Sequence, residues 1–504
     1  MVDSRSSAVV LLAAVLSVLV GAKGAAAFEF HDVEERARVL AEQPFQQPQR
    51  IPDWLLELKY DSWRNIRFRP EKSLWRGKGV PFEVQFFHPG LYYDRTVKIN
   101  EVDAKGVHPV AFSPSLFDYG PNDFASKVPQ DLGFAGFRLH YPIKRKEYKD
   151  EVIVFLGATY FRAIGRDQAF GASARAVALN TALPSGEEFP FFTEFWLVKP
   201  APTAGDMTIY ALADSQSLTG AFRFTVDPGT ETTVLVDARL FRRQPVAKLG
   251  IAPLTSMFLH GENSKRCVTD FRPEVHDSDG VLMSLPNGEW VWRPVDNPER
   301  LAVNAFTAAG LKGFGLIQRD RDFDHYQDLE TRPDVRPSIW VTPRGDWGAG
   351  RIEIVEIPTG ADFNDNVVVY WVPELAPNNT GPLEFSYMMH WYGSDAARPP
   401  DGRSVATRLE PGSKEHNQRF IVDFEGKRLT QLAENTVLRA VVTVASGPES
   451  GRIPEQIVVK NPVTGGWRLI FQVEPAGKDP VELRAYLDLG GEALTETWTY
   501  TLVP

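Results

Sequence analysis

One cysteine, Cys267, in a chain of 504 residues excludes an intramolecular disulfide, so the fold must be held by burial and hydrogen bonding alone. Cys267 itself reads as a small buried hydrophobe. A cationic excess is lacking too. Acidic residues outnumber basic ones, 65 to 55, for a net charge of −10, which leaves no broad electropositive surface for phosphates and argues against a nucleic-acid partner. The N-terminal apolar run, Ala8–Val20, has thirteen residues; at about 1.5 Å each it falls short of a hydrocarbon layer of roughly 30 Å. There is no fixed-period repeat, no strand–helix alternation, no Gly-x-Ser-x-Gly, no His-x-x-x-His and no cysteine pair. Solenoids, doubly wound sheets, the usual hydrolase elbow and an ordinary zinc site are thereby disfavoured.

The apolar run follows Arg5 and precedes Lys23-Gly-Ala-Ala-Ala27, a small-x-small cleavage pattern, so residues 1–27 read as a secretory signal peptide and the mature chain begins at Phe28. No Arg-Arg pair precedes the run, which favours general export over the twin-arginine route. Cleavage removes Arg5, Lys23 and Asp3, shifting the charge from −10 to −11. Export without disulfides suits a bacterial periplasm, where the sequon Asn378-Asn379-Thr380 carries no meaning.

What is abundant is aromatic and turn-forming: 32 Phe, 14 Tyr, 12 Trp, 39 Gly and 38 Pro. Together these point to an all-β globular chain. Two short helices are expected near the mature start, around Val33–Leu40 and Trp54–Leu58, separated by Pro44, Pro48 and Pro52. Short β-branched and aromatic runs follow, among them 80–87, 151–156, 191–198 and 232–238, each closed by Gly, Pro, Asn or Asp. They predict a large antiparallel sandwich over 28–393. Residues 394–417 are rich in turn-formers and charges and read as a linker. Beyond it, 418–504 holds six or seven alternating strands, immunoglobulin-like in size and rhythm.

Candidate chemistry falls between residues 250 and 375. Glu274, His276, Asp277 and Asp279 form an acidic turn; Asp320, Asp322, Asp324, His325 and Asp328 form a second cluster. Asp365 ends the loop Ile357–Asn366 just before an apolar strand, where partial desolvation would raise its pKa and suit a general acid. At each Asp a backbone-capping turn role competes with chemistry. The Asp320–Asp328 run lacks the Gly and distal Glu of a calcium loop, so neither metal nor cofactor is expected. Trp290, Trp292, Trp340, Trp347, Tyr370 and Trp371 share the stretch, and aromatics among carboxylates suit a neutral sugar, although each could equally be a core residue. Glycoside inversion needs two carboxyls roughly 6.5–9.5 Å apart.

Phe28-Glu-Phe-His-Asp-Val33, Lys248–Phe258, Arg272-Pro-Glu-Val-His-Asp-Ser-Asp-Gly280, Arg321–Glu330, Arg336-Pro-Ser-Ile-Trp340 and Asn364-Asp-Asn366 together resemble the periplasmic glucan biosynthesis G and D proteins. The resemblance spans nearly the whole mature chain and leans to the G branch. It implies a galactose-mutarotase-like sandwich joined to an immunoglobulin-like domain, and a role in making osmoregulated periplasmic β-1,2-glucans. It further implies an inverting endo-β-1,2-glucanase activity with Asp365 as general acid and Asp277 as general base, Asp279 standing as rival to Asp277. Arg336, His276, Tyr326, Trp340, Trp347 and Trp371 are the substrate-binding candidates. The competing reading is a non-catalytic glucan scaffold that assists a membrane glucosyltransferase. A homodimer is an admissible assembly.

Overall fold

The computed structural model describes residues 27–264, 269–375, 381–394, 398–414 and 416–504. Residues 1–26 of the expected signal peptide 1–27, Cys267 and the sequon lie outside them. The expected helices form as Phe30–Ala41, Asp53–Leu56 and Tyr60–Arg64. The first is opened by a capping box in which the Glu29 N–H donates to Asp32. It lays Phe30, Val33 and Ala37 on Trp196, Leu212 and Ala221. Among the described residues no helix is long and apolar enough to cross a membrane.

Apart from the short helices Phe323–Tyr326 and Lys427–Gln431 and a few single 3-10 turns, the remaining regular structure is sheet. A ten-stranded and a fifteen-stranded sheet face one another, and period-2 alternation decides what lies between them. In the ten-stranded sheet Phe86, Phe137, Phe155 and Phe161 fall on one face in register. Phe155 stacks on Phe137 at 5.1 Å and meets Phe195 and Phe224 of the opposite sheet edge-on at 5.6 and 5.1 Å. This aromatic layer is the main core and makes the chain an all-β sandwich. The other face of the same strands carries Gln85, Arg138, Val154 and Arg162 in one row. That row faces outward.

The C-terminal strands make a second core. A four-stranded sheet of Arg403–Pro411, Gln418–Glu425, Trp467–Pro475 and Gly451–Lys460 packs on Arg439–Val444, Val481–Leu489 and Thr497–Leu502 through Phe420, Phe471, Trp498 and Tyr500. Composition alone assigned 403–411 to a linker; it is an edge strand instead, because Ser404, Thr407 and Leu409 find backbone partners along Phe420–Phe424. Nor is the second core independent of the first. Thr497–Leu502 runs parallel to Trp290–Pro294, and Trp292, Trp340 and Tyr392 of the larger part belong to the second cluster.

Buried charge seals this seam. The Arg319 guanidinium forks onto Glu496 at 2.6 and 2.9 Å and lies 3.6 Å from the Trp292 ring centroid. Glu496 also accepts the Ser404 N–H at 2.8 Å. Breaking such a pair from one side leaves an uncompensated charge, so Glu496→Ala should cost about 3 kcal/mol, read as a lowered denaturant midpoint. Glu262 reaches across the same seam to the Thr407 N–H and Arg408. Burial pushes its carboxyl from 4.5 up to about 7, against the pull of Arg408 and the Thr407 N–H. Because the folded value is the higher one, the associated stability is complete below pH 4.5 and lost as pH rises through 7. Melting temperature should therefore fall over that interval, and Glu262→Gln should flatten the fall.

Candidate functional site

The strand Leu249–Ser256 organises the site. It carries a bulge opposite Val369–Trp371, with Ala252 in the left-handed region at φ 49°, which re-aims the residues beyond it. Thr255 then turns outward beside Ser173, and its hydroxyl donates to Asp365 Oδ2 at 3.1 Å. The loop bearing Asp365 is clamped at its end by Asn366. The Asn366 side-chain oxygen accepts the Phe258 N–H at 2.7 Å, its amide donates to Phe258 and Ile357 carbonyls at 3.0 and 3.1 Å, and its own N–H donates to Ser256. Arg272 ties the loop from the other side, reaching Asp362 at 2.9 Å and Asp328 at 3.0 Å. Asp365 itself is exposed, not partly desolvated as its place in sequence suggested, because the loop arches away from the sheet.

Asp277 lies on the opposite side of the same strand. Phe258 pairs His276, the Asp277 N–H donates to the Met257 carbonyl at 2.8 Å, and Ser278 meets Ser256 at 2.9 Å. Asp277 and Asp365 thus flank one stretch, Thr255–Met257. Two backbones flanking a shared strand stand about 10 Å apart. Asp277 is 6% exposed and paired with the Arg336 guanidinium. Arg336 runs over Gly171, where a Cβ would sit 2.7 Å from its Cδ; only glycine admits that approach. Burial and the like charge of Arg162 pull the Arg336 pKa down to about 10, opposed by Asp365 and Asp362. The two carboxylates and two guanidiniums therefore act on one another. Beside them opens a cleft of about 410 Å³ lined by Tyr160, Arg162, Ser173, Phe363, Asn364 and Asp365.

His276 backs Asp277 rather than facing the cleft. It is buried, stacks on Phe258 at 5.2 Å, contacts Glu274 at 2.8 Å and Gln318 at 3.2 Å. Burial disfavours its charge, yet the Glu274 bond and the charges of Asp279 and Asp320 raise its pKa above the usual value. Tyr326 is fully buried, accepts from Gln318 and donates to the Asp320 carbonyl. Asp279 accepts the backbone N–H groups of Arg319 and Asp320. It braces the start of the Asp320 segment, while Asp277 is the one that borders Met257. Two donor sets could hold a cation, Glu274–His276–Asp279 and Glu274–Asp320–His325. In both, the donors already bond protein groups.

The tryptophans expected to stack on sugar do not reach the cleft. Trp371 shares the inward face of Val367 and Val369 and is fully buried; Tyr370, on the outward face, is covered too and bonds Glu353. Trp340 stacks on Trp290 at 5.5 Å in the second core. Trp347 packs edge-on against Phe385 and Tyr387. Strand parity turns Trp340 and Trp371 to a core; Trp347 reaches one from the loop between Ser338–Arg344 and Gly350–Glu356. Residues missed in sequence are Arg162, Thr255, Ser173 and Arg272, and the aromatic Tyr160 at the cleft; Phe363, beside Asp365, lines it too and is 84% exposed. Arg162 was legible in principle, as the charged position in the alternating run Tyr160–Ala163.

Comparison with known proteins covers nearly the whole chain. The family described as "Periplasmic glucan biosynthesis protein, MdoG" matches residues 28–502. "Glucans biosynthesis protein G" of Ralstonia nicotianae is 49% identical over 98% of this chain and 99% of its own length. The protein of the same name from Pectobacterium atrosepticum is 43% identical over 97% and 96%. The family match runs from Phe28 to the last strand, and the chain belongs to the periplasmic glucan biosynthesis MdoG family.

Proposed function

We propose that this chain acts in the periplasm on a β-1,2-glucan, laying it across the outer face of the ten-stranded sheet and cleaving it with inversion. The observation that carries the reading is the placement of Asp277 and Asp365 on either side of Thr255–Met257, with Arg336 within electrostatic reach of both. Asp365 protonates the leaving oxygen. A sugar ring over the exposed loop supplies the desolvation that a general acid needs. Asp277 draws the proton from water, and its spacing from Asp365 leaves room for that water. Arg336 holds Asp277 in an ion pair and must release it for the proton to move. The C-terminal strands serve as an immunoglobulin-like buttress to a galactose-mutarotase-like sandwich. A membrane glucosyltransferase and a second copy of the chain are the natural partners.

One observation favours a second reading. Asp277 is buried and ion-paired, and with that pair locked the cleft is a glucan-binding site without turnover, a scaffold for chain elongation or export. Linear β-1,2-glucan incubated with the mature protein separates the two. Release of reducing ends supports hydrolysis; binding without release supports the scaffold. Under hydrolysis, Asp365→Asn and Asp277→Asn should each lower kcat by about 10²-fold or more while leaving glucan affinity within twofold, as loss of an acid or base does. Arg336→Ala should in addition destabilise the fold by about 3 kcal/mol, because it strands the buried Asp277 carboxylate.

A further inference from the structure

A second groove, of about 520 Å³, opens where the helix Tyr60–Arg64 and the short strand Arg67–Phe68 lie against the strands Glu83–Phe87 and Gly136–Arg145. Its lining holds Arg64, Arg67, Arg69 and Arg138 against only two carboxylates, Glu71 and Asp118. In a chain of net charge −10 that local excess is unusual. Most guanidiniums of this protein are tied to carboxylates, but Arg64 and Arg67 are exposed and make no ion pair among the described residues. Arg69 spends only its Nε, on the Phe117 carbonyl at 3.1 Å. Arg138 is held by Glu151 at 2.7 Å and Gln85 at 3.0 Å and lies over the Phe87 ring at 5.3 Å, leaving its buried Nε without a partner. Asp118 already accepts the Gly120 N–H. The groove is thus a concave set of forked donors, geometry that suits an oxyanion.

Its position matters as much as its charge. Arg138 pairs Val154, Val154 pairs Arg162, and the next strand contributes Ser173, which pairs Thr255, the residue bonded to Asp365. All lie on the outward face of one sheet. From Arg138 to Thr255 is four strand spacings, about 19 Å. A single extended ligand can therefore lie over both places.

We infer that the arginine groove binds an oxyanion, a phosphate or carboxylate, carried on the same saccharide chain whose neutral backbone crosses the Asp365 cleft. The inference rests on the glucan reading of that cleft. It adds a charged subsite that selects acidic over neutral chains and, through the fixed span, sets where an acidic group stands relative to Asp365.

The test compares a linear β-1,2-glucan oligosaccharide with its phosphorylated derivative, by calorimetry on the mature Asp365→Asn chain so that neither is consumed. The phosphorylated form should bind roughly tenfold more tightly at low salt, as one new charge-assisted contact provides. The gain should shrink as ionic strength rises. Adding Arg64→Gln and Arg67→Gln should erase the gain and leave neutral-chain affinity unchanged; both side chains are exposed, and an unaltered melting temperature verifies folding. Equal binding of the two oligosaccharides, or a gain that survives the double substitution, overturns the proposal at the arginines. Phosphate-dependent binding with no affinity for the neutral chain overturns it at the cleft reading instead. Arginine-dependent pelleting with phosphatidylglycerol vesicles, without any gain for the phosphorylated oligosaccharide, assigns the groove to a lipid headgroup and overturns it as well.

Discussion

The five hydrogen bonds of Asn366 fix the geometry on which the site depends. They join the end of the Asp365 loop to the continuation of the strand Leu249–Ser256, at the point where that strand leaves one sheet and begins pairing with Val275–His276. A single side-chain amide, donating twice and accepting once, stands in for a ladder where no regular pairing is possible. Asp277 and Asp365 are placed relative to each other through this junction, since both take their position from backbone hydrogen-bonded to the same few residues.

The sheet then divides labour by parity. Inward positions of the strands Gly136–Arg145, Tyr148–Leu156 and Tyr160–Ala163 are aromatic or aliphatic and build the core, while outward positions bear Arg138, Val154 and Arg162. Function lies on the face that folding does not need. Buried polar groups are found where the outward face is covered, as at the ion pair of Asp277 with Arg336 and the contact of His276 with Glu274. Those pairs hold orientation at a desolvation cost, which burial over the whole sandwich offsets.

Strand parity also explains which expectations survive. The runs 191–198 and 232–238 are strands as their β-branched and aromatic content required. Asp277 and Asp365 border the same stretch, Thr255–Met257. The tryptophans misled because composition says that a ring is present but not which way it turns, and Trp371 points inward by one residue of register. The strand Arg403–Pro411 escaped notice because an edge strand is polar on its open side and resembles a linker. Thr255 carries no signal of its own, and Arg162 only that of a charged position in an alternating run; both become site residues only when distant strands are laid side by side, which a linear reading cannot do.

The last strand, Thr497–Leu502, is six residues long and joins the two halves. Trp498 fills the second core and Glu496 just before it neutralises Arg319. Peeling this one strand away would uncover a tryptophan-lined flank and strand the Arg319 guanidinium in the seam without its carboxylate, so the two parts of the molecule share a single hinge-pin and should loosen together rather than one after the other.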